Sequence, residues 1–362
     1  MKTSIGNEFV FLAKSNIKAG EGKESGLYPF FTSSDVKIQR IDMALYDTEA
    51  IILGTGGKPS CNYYAGRFST STDNFVLQSK GKVLPKYLYY FLRTNGLSVL
   101  EKGFKGAGLK HIGKPYISNI FFPIREPEGQ KRIVEELDGV SSLISLIRNQ
   151  IILLDEQVKS LFNEQFSDCP QIKNLEAIAT LITDGEHQTP QRSETGYLLL
   201  SARNIGNHEL LLNDVDHIPE GEYQRISRRV VPQEGDVLIS CSGTIGRVCA
   251  VPANLQFQMV RSAALIRPAK TVRTKYLEYA LTSEELQYQI QESAVAVAQA
   301  NLFQGKIKKL RIRVPPLADQ DKFIERLNQI DKLRFNYQRQ IDLLKELMEK
   351  KMEEYFGGEE GA

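Results

Sequence analysis

QKRIVEELDGVSSLISLIRNQIILLDEQVKSLFNEQF, from Gln130 to Phe166, and QDKFIERLNQIDKLRFNYQRQIDLLKELMEKKMEEYF, from Gln320 to Phe356, are one segment written twice, 190 positions apart. The pairs include Gln130 and Gln320, Glu135 and Glu325, Leu137 and Leu327, Leu143 and Leu333, Gln150 and Gln340, Leu153 and Leu343, Glu164 and Glu354, and Phe166 and Phe356. A generic amphipathic helix needs only apolar spacing, so identical polar residues at fixed places indicate a duplicated unit. The echo continues upstream: Lys86, Tyr87, Leu88, Tyr90 and Leu92 match Lys275, Tyr276, Leu277, Tyr279 and Leu281 at an offset of 189. Ile117, Ile120 and Ile124 fall on Ile307, Leu310 and Val314, as if the same strand fed the same helix twice. The order is domain, helix, domain, helix, with boundaries at 1–125, 126–168, 169–314 and 315–362.

Within the first copy, Ile133, Leu137, Val140, Ile144, Ile147, Ile151, Leu154, Val158 and Leu161 alternate steps of four and three, the spacing of a coiled-coil seam. The second copy has Arg334 and Lys351 in that stripe, charged breaks that either fix register against a partner helix or snorkel from the seam edge. One helix starts after Pro127, the other near Pro315-Pro316 with Asp319 as cap, and Gly357-Gly358 ends the second. About 39 residues at about 1.5 Å each give a rod near 58 Å. The simplest burial sets one stripe antiparallel on the other, holding the domains at opposite ends; homodimerisation through each helix is the competing arrangement. The fold class is α+β, two homologous mixed domains separated by two long helices.

In 362 residues, 41% hydrophobic and 25% charged, no stretch comes close to about 18 uninterrupted apolar residues, and the start lacks the apolar block of a secretory signal, so a cytoplasmic protein is expected. Cys61, Cys169, Cys241 and Cys249 lack zinc-site spacing and read as reduced thiols. The net charge of +2 is unevenly spread. Residues 1–125 carry 17 basic against 9 acidic groups and residues 169–314 carry 17 against 15, while both helical segments are net negative. Positive domains on negative struts suit a binder of polyanions.

Both domains run an apolar strand into a glycine turn: Ala50-Ile51-Ile52-Leu53 into Gly54-Thr55-Gly56-Gly57, and Asp236-Val237-Leu238-Ile239-Ser240 into Cys241-Ser242-Gly243-Thr244-Ile245-Gly246. Such turns admit a phosphate to backbone amides, and equally serve any sheet corner. Arg225, Arg228 and Arg229 form one basic group, and Lys306, Lys308, Lys309, Arg311 and Arg313 another, in which Leu310, Ile312 and Val314 alternate with the arginines as a strand. Gly108, Gly113 and Lys114 have phosphate-loop spacing, but Pro115 stands where a magnesium-binding hydroxyl belongs and no apolar strand precedes. No hydrolytic constellation is apparent, and the chain reads as a binder.

On these residues the chain resembles the specificity subunit of a type I restriction-modification enzyme. The resemblance rests on the repeat with its two helices, on Asp184-Gly185-Glu186-His187-Gln188-Thr189-Pro190, on Leu238 to Gly246, and on the helix entries Pro315-Pro316-Leu317-Ala318-Asp319-Gln320 and Pro127-Glu128-Gly129-Gln130. It implies two target-recognition domains, each reading half of an asymmetric two-part site in double-stranded DNA, with the helices as spacer. It also implies no catalytic activity and no cofactor or metal in this chain. The implied partners are two modification subunits carrying S-adenosylmethionine and motor-nuclease restriction subunits using ATP and Mg. A dimeric coiled-coil scaffold that binds no DNA is the alternative.

Lys and Arg supply salt-dependent phosphate affinity, while Arg, Asn and Gln read base edges. On that division the DNA-binding candidates are Lys14, Lys18, Ser33, Lys58, Lys105, Lys110 and His111 in the first domain. In the second they are His187, Gln188, Arg192, Arg203, Asn204, Arg247 and Lys306. The constant offset also predicts that the first domain lacks about 17 residues at its beginning, because the second starts near Ile172.

Overall fold

A computed structural model describes residues 1–34, 38–294 and 301–357. The chain divides into two compact units, Met1–Gln150 with Tyr337–Ala362, and Ile151–Asn336. Each contains one globular domain and a stretch of both long helices, Pro127–Phe166 and Leu317–Phe356.

The first domain is built on a six-stranded sheet in the order Phe9–Phe11, Asn74–Ser79, Tyr46–Gly54, Ser60–Thr70, Tyr28–Phe31, Gln39–Ile41. Its pairs are antiparallel except that Tyr28–Phe31 runs parallel to Ser60–Thr70. The helix Pro85–Arg93 presents Tyr87, Leu88 and Leu92 to the core beneath Ile51, Leu53 and Leu77. The second domain repeats the plan with the sheet cut in two. Ala179–Asp184, Ala263–Pro268, Val237–Ser240 and Val248–Ala250 form one sheet; Asp216–Ile218, Tyr197–Leu200 and Phe257–Met259 form the other. The cut falls where the long strand Ser60–Thr70 has its counterpart, at a segment containing Pro252, which lacks the amide a ladder needs.

Strand register corrects the expectation that the first domain lacks its opening. Lys2–Ser4 pairs with Phe121–Pro123 as Ile172–Asn174 pairs with Arg311–Arg313, setting Thr3 opposite Phe122 and Lys173 opposite Ile312. Thr3 therefore corresponds to Lys173, 170 positions on. By the same test Ile51 corresponds to Val237, an offset of 186, and Leu77 to Ile266, an offset of 189. The opening strand is present, and the length difference lies inside the domain, between the first strand and the glycine turn. The helix Glu220–Ser227 occupies part of it. Ahead of each long helix, the anticipated single strand is a short helix, Lys114–Ser118 or Gln304–Lys308, followed by a three-residue strand.

The repeated polar residues have repeated duties. Gln130, 1% exposed, accepts the Leu84 amide and donates to the carbonyls of Lys82 and Arg125. Gln320, fully buried, accepts the Arg273 amide and donates to Thr271 and Pro315. Tyr87 and Tyr276 donate to the carbonyls of Pro123 and Arg313.

The helices pack on each other within each unit. In the first, Ile133 and Leu137 share a core with Met352 and Phe356, and Glu136 accepts from Lys351 and Tyr355. In the second, Val158 and Phe166 meet Phe323, Leu327 and Ile330. There Asp155 pairs with Arg334 and Gln165 with the Asp319 carbonyl, so numbers rise on one helix as they fall on the other and the pair is antiparallel. Both charged breaks in the stripe, Lys351 and Arg334, thus have carboxylate partners on the facing helix. Asp319 lies in the first turn and is not the cap, since the helix begins at Leu317. The second helix ends at Phe356 before Gly357; Gly358 lies outside the described residues.

Candidate nucleic-acid interface

The sequence places a glycine turn at the end of a central strand in each domain, and the fold gives both turns the same neighbour. Gly56 bridges to His111, and the Ile112 amide donates to Thr55 at 3.0 Å. Ser242 bridges to Asn301, and the Leu302 amide donates to Cys241 at 2.8 Å. Gly57 and Gly243, at φ +84° and +69°, hold equivalent places in a region that favours glycine.

Other candidates gather at these turns. The Thr72 amide donates to Ile17 and the Arg261 amide to Glu186, so Lys18 and His187 are equivalent, each following the accepting residue. Likewise Ser71 donates to Phe31 and Val260 to Leu200, which makes Ser33 the counterpart of Ala202, next to Arg203. Ser33 donates to the Asp73 carbonyl, which also accepts the Thr55 amide. Lys105 and His111 exchange backbone bonds and Gly57 donates to Lys110, so the segment 105–111 is a hairpin docked on the turn that carries Lys58. After the hairpin, Gly113 caps the five-residue helix Lys114–Ser118.

The two sites differ electrostatically. In the first domain Lys14, Lys18, Lys58, Lys105 and Lys110 are exposed and form no ion pair among the described residues. Lys14 lies 4.9 Å over the Phe75 ring, Lys114 lies 4.8 Å over Phe11, and those rings meet edge to face. In the second domain carboxylates hold the basic groups. Asp184 meets His187 Nε2 at 2.8 Å and Arg229 Nη2 at 2.7 Å. Burial works to raise the Asp184 carboxyl, but the Arg229 hydrogen bond and the charge of His187 outweigh it and hold the group below its ordinary range. Asp216 holds Arg192 and Arg203, and Glu222 holds Arg225. Asp184, His187, Ser242, Gly243, Arg261, Asn301 and Gln304 line a cleft of about 660 Å³.

Three second-domain expectations need correction. Asn204 is 1% exposed, with its amide spent on the carbonyls of Leu211 and Asp214 and its oxygen on Ser201, so it shapes a turn and presents nothing to a base. Arg247 is half-buried and donates to the Ala202 carbonyl at 2.7 Å, supporting the turn that carries Arg203. Lys306 is exposed but lines a separate shallow hollow with Gln289, Glu292 and Lys309. Gln188 is exposed, its amide capped by Glu186. Arg225 and Arg229, of the basic group that the sequence shows, pair with Glu222 and Asp184, and Arg313 is tied to Glu285 and the Cys169 carbonyl. The sequence reading missed Lys114, Asn301 and the clamping aspartates; the repeat itself could have pointed to Asn301 opposite His111.

Fold and site together define a tandem-repeat protein with two homologous α/β domains, each feeding a 40-residue helix that packs on its twin and each offering one glycine-turn surface. The family model of the type I restriction modification DNA specificity domain matches residues 8–156 and 203–345, and the chain belongs to that family. It is similar to the type I restriction enzyme MjaVIII specificity subunit of Methanocaldococcus jannaschii, 22% identical over 345 residues, covering 85% of this chain and 80% of the relative. A putative type I restriction enzyme specificity subunit of Haemophilus influenzae is 22% identical over 354 residues, covering 91% and 87%. In fold it resembles the crystal structure of a type I restriction-modification S subunit from M. genitalium, with TM-score 0.56, 15% identity, and coverage of 100% of this chain and 96% of that one.

Proposed function

We propose that this specificity subunit reads a two-part DNA sequence, each domain taking one half through the surface around its glycine turn. The observation that carries this is the equivalence of the two turns: His111 and Asn301, Lys18 and His187, and Ser33 and Arg203 arise at matching or adjoining places of two domains whose intervening segments differ. Equal frames with unequal segments suit two reading heads for two different words. The helices serve as spacer. At about 58 Å of rod and about 3.4 Å of duplex per base pair, half-site centres lie no more than roughly 17 base pairs apart.

The chain acts without catalysis of its own. In this reading two modification subunits bring S-adenosylmethionine, and restriction subunits bring ATP with Mg. Support for paired partners comes from exposed apolar residues at equivalent helix positions: Leu143 and Leu343 in one unit, Leu153 and Leu333 in the other. By length and composition Pro127–Phe166 could cross a membrane. In each unit, however, it packs against the second helix, and its exposed leucines suit a protein partner in the cytoplasm.

Mapping modified adenines in cells that carry the complete system tests the proposal. A two-part motif with a constant gap is expected. A continuous motif, or none that depends on this chain, would refute it.

A further inference from the structure

Asp216 stands between two arginines of the second domain, accepting from Arg192 Nε at 2.9 Å and from Arg203 Nη2 at 3.0 Å. It lies on the strand Asp216–Ile218, opposite Leu199, and its side chain is 29% exposed. We propose that Asp216 is a specificity-determining positioning residue, acting through Arg192 and Arg203 and rejecting indiscriminate phosphate contact. This rests on the DNA-reading function above and says how one domain separates reading from mere attraction.

The argument begins with what a free arginine does. Duplex DNA carries about one negative charge per 1.7 Å of axis, so an unrestrained guanidinium finds a phosphate on any sequence and gains affinity without information. Asp216 removes that freedom by taking one nitrogen from each arginine with a separate oxygen, fixing both planes while their other N–H groups stay available. Bidentate base reading requires donors held in that way. The Arg203 end of the clamp is anchored. Arg203 sits in the turn Ala202–Asn204, which Asn204 ties to Leu211 and Asp214 and Arg247 ties through Ala202. Arg203 Nη1 also lies 3.7 Å from Asp214.

The first domain makes the contrast. Opposite Phe30, the counterpart of Leu199, stands the uncharged Gln39, and the candidate lysines there are unpaired among the described residues. With 17 basic against 9 acidic residues in 1–125, compared with 17 against 15 in 169–314, unconditional phosphate attraction resides mainly in the first domain.

The test uses the complete restriction-modification complex. Duplexes carrying the mapped site, or a scrambled sequence of equal length, are titrated over a salt series. The proteins are wild type, Asp216→Asn, Asp216→Glu, an Arg192→Ala/Arg203→Ala double variant, and that double variant with Asp216→Asn added. Asp216→Asn should bind scrambled duplex more tightly, with a salt slope steeper by about one to two. Its discrimination should fall by about tenfold. Asp216→Glu should restore most of it, and the Asn change should do nothing further once both arginines are gone. Equal loss of affinity for both duplexes at an unchanged slope, or an additive effect in the arginine-free background, overturns the proposal. A wild-type complex that does not distinguish the two duplexes defeats the DNA-reading function itself, before any variant is compared.

Discussion

Gln130 accepts the backbone amide of Leu84 at 2.9 Å, joining the first turn of a long helix to the residue that precedes the helix Pro85–Arg93. Gln320 does the same for Arg273 at 2.8 Å. Each glutamine is also the donor to two carbonyls, so one side chain fixes the angle at which helix and domain meet.

Gln130→Ala and Gln320→Ala should each destabilise their unit by about 3 kcal/mol, because a buried amide and two carbonyls lose their partner together. Urea unfolding curves measure this. A loss below about 1 kcal/mol would mean that water replaces the clasp.

Phosphate contact and base reading should separate by salt dependence. Lys58→Ala and Lys110→Ala should each reduce the salt slope of binding by about 0.9 while leaving sequence preference intact. Arg203→Ala should alter preference at the second half-site, whereas Lys306→Ala, in its separate hollow, should leave slope and preference unchanged. Titrations on specific and scrambled duplexes decide, and a reduced slope for Lys306→Ala would return it to the interface.

At Gly57 and Gly243 an added Cβ meets nothing within 4 Å, so substitution by alanine strains only the backbone. A cost of about 1 kcal/mol is expected for either. If DNA approaches the turn closely, affinity should fall well beyond the share that this cost explains. Comparing thermal midpoints with binding constants measures both.

Glu136 is held below the ordinary carboxylate range by hydrogen bonds from Lys351 and then Tyr355, and Asp184 is lowered against its burial by Arg229 and His187. A depressed folded-state value gives stability that is complete above the unfolded value, about 4 for a carboxyl, and lost as pH falls through the folded one. Wild type should therefore exceed Glu136→Gln and Asp184→Asn most above about pH 5, with the differences fading as acid is added. Urea midpoints across that range provide the check, and a gap that widens in acid would contradict the assignment.

Burial pushes the thiols of Cys61, Cys241 and Cys249 up to about 12, whereas Cys169 is only partly buried. One thiol should react with a maleimide in the native protein and three more after unfolding. Mass spectrometry of the labelled peptides should find Cys169 modified first.

The duplication, the paired helices and both glycine turns were legible because each is local: an apolar period, a strand run, a glycine cluster. What was not legible depends on pairing at a distance. One offset of 190 hid the opening strand Lys2–Ser4, whose partner lies more than a hundred residues away and whose true offset is 170. Arg203 and Asn204 are neighbours in sequence and looked alike as readers. The carbonyls of Leu211 and Asp214 draw one inward, and Asp216 leaves the other at the surface.

The uneven spacing of the two copies has an evolutionary reach. Between Phe9, held to Ser79, and Ile51, held to Leu77, the first copy has 16 fewer residues than the second has between Ala179 and Val237, yet both ends keep the same strand partners. Insertion of 16 residues is thus absorbed without moving either flanking strand from its partner, so the surface beside each glycine turn can differ in length while the hinge glutamines and the paired rods stay as they are.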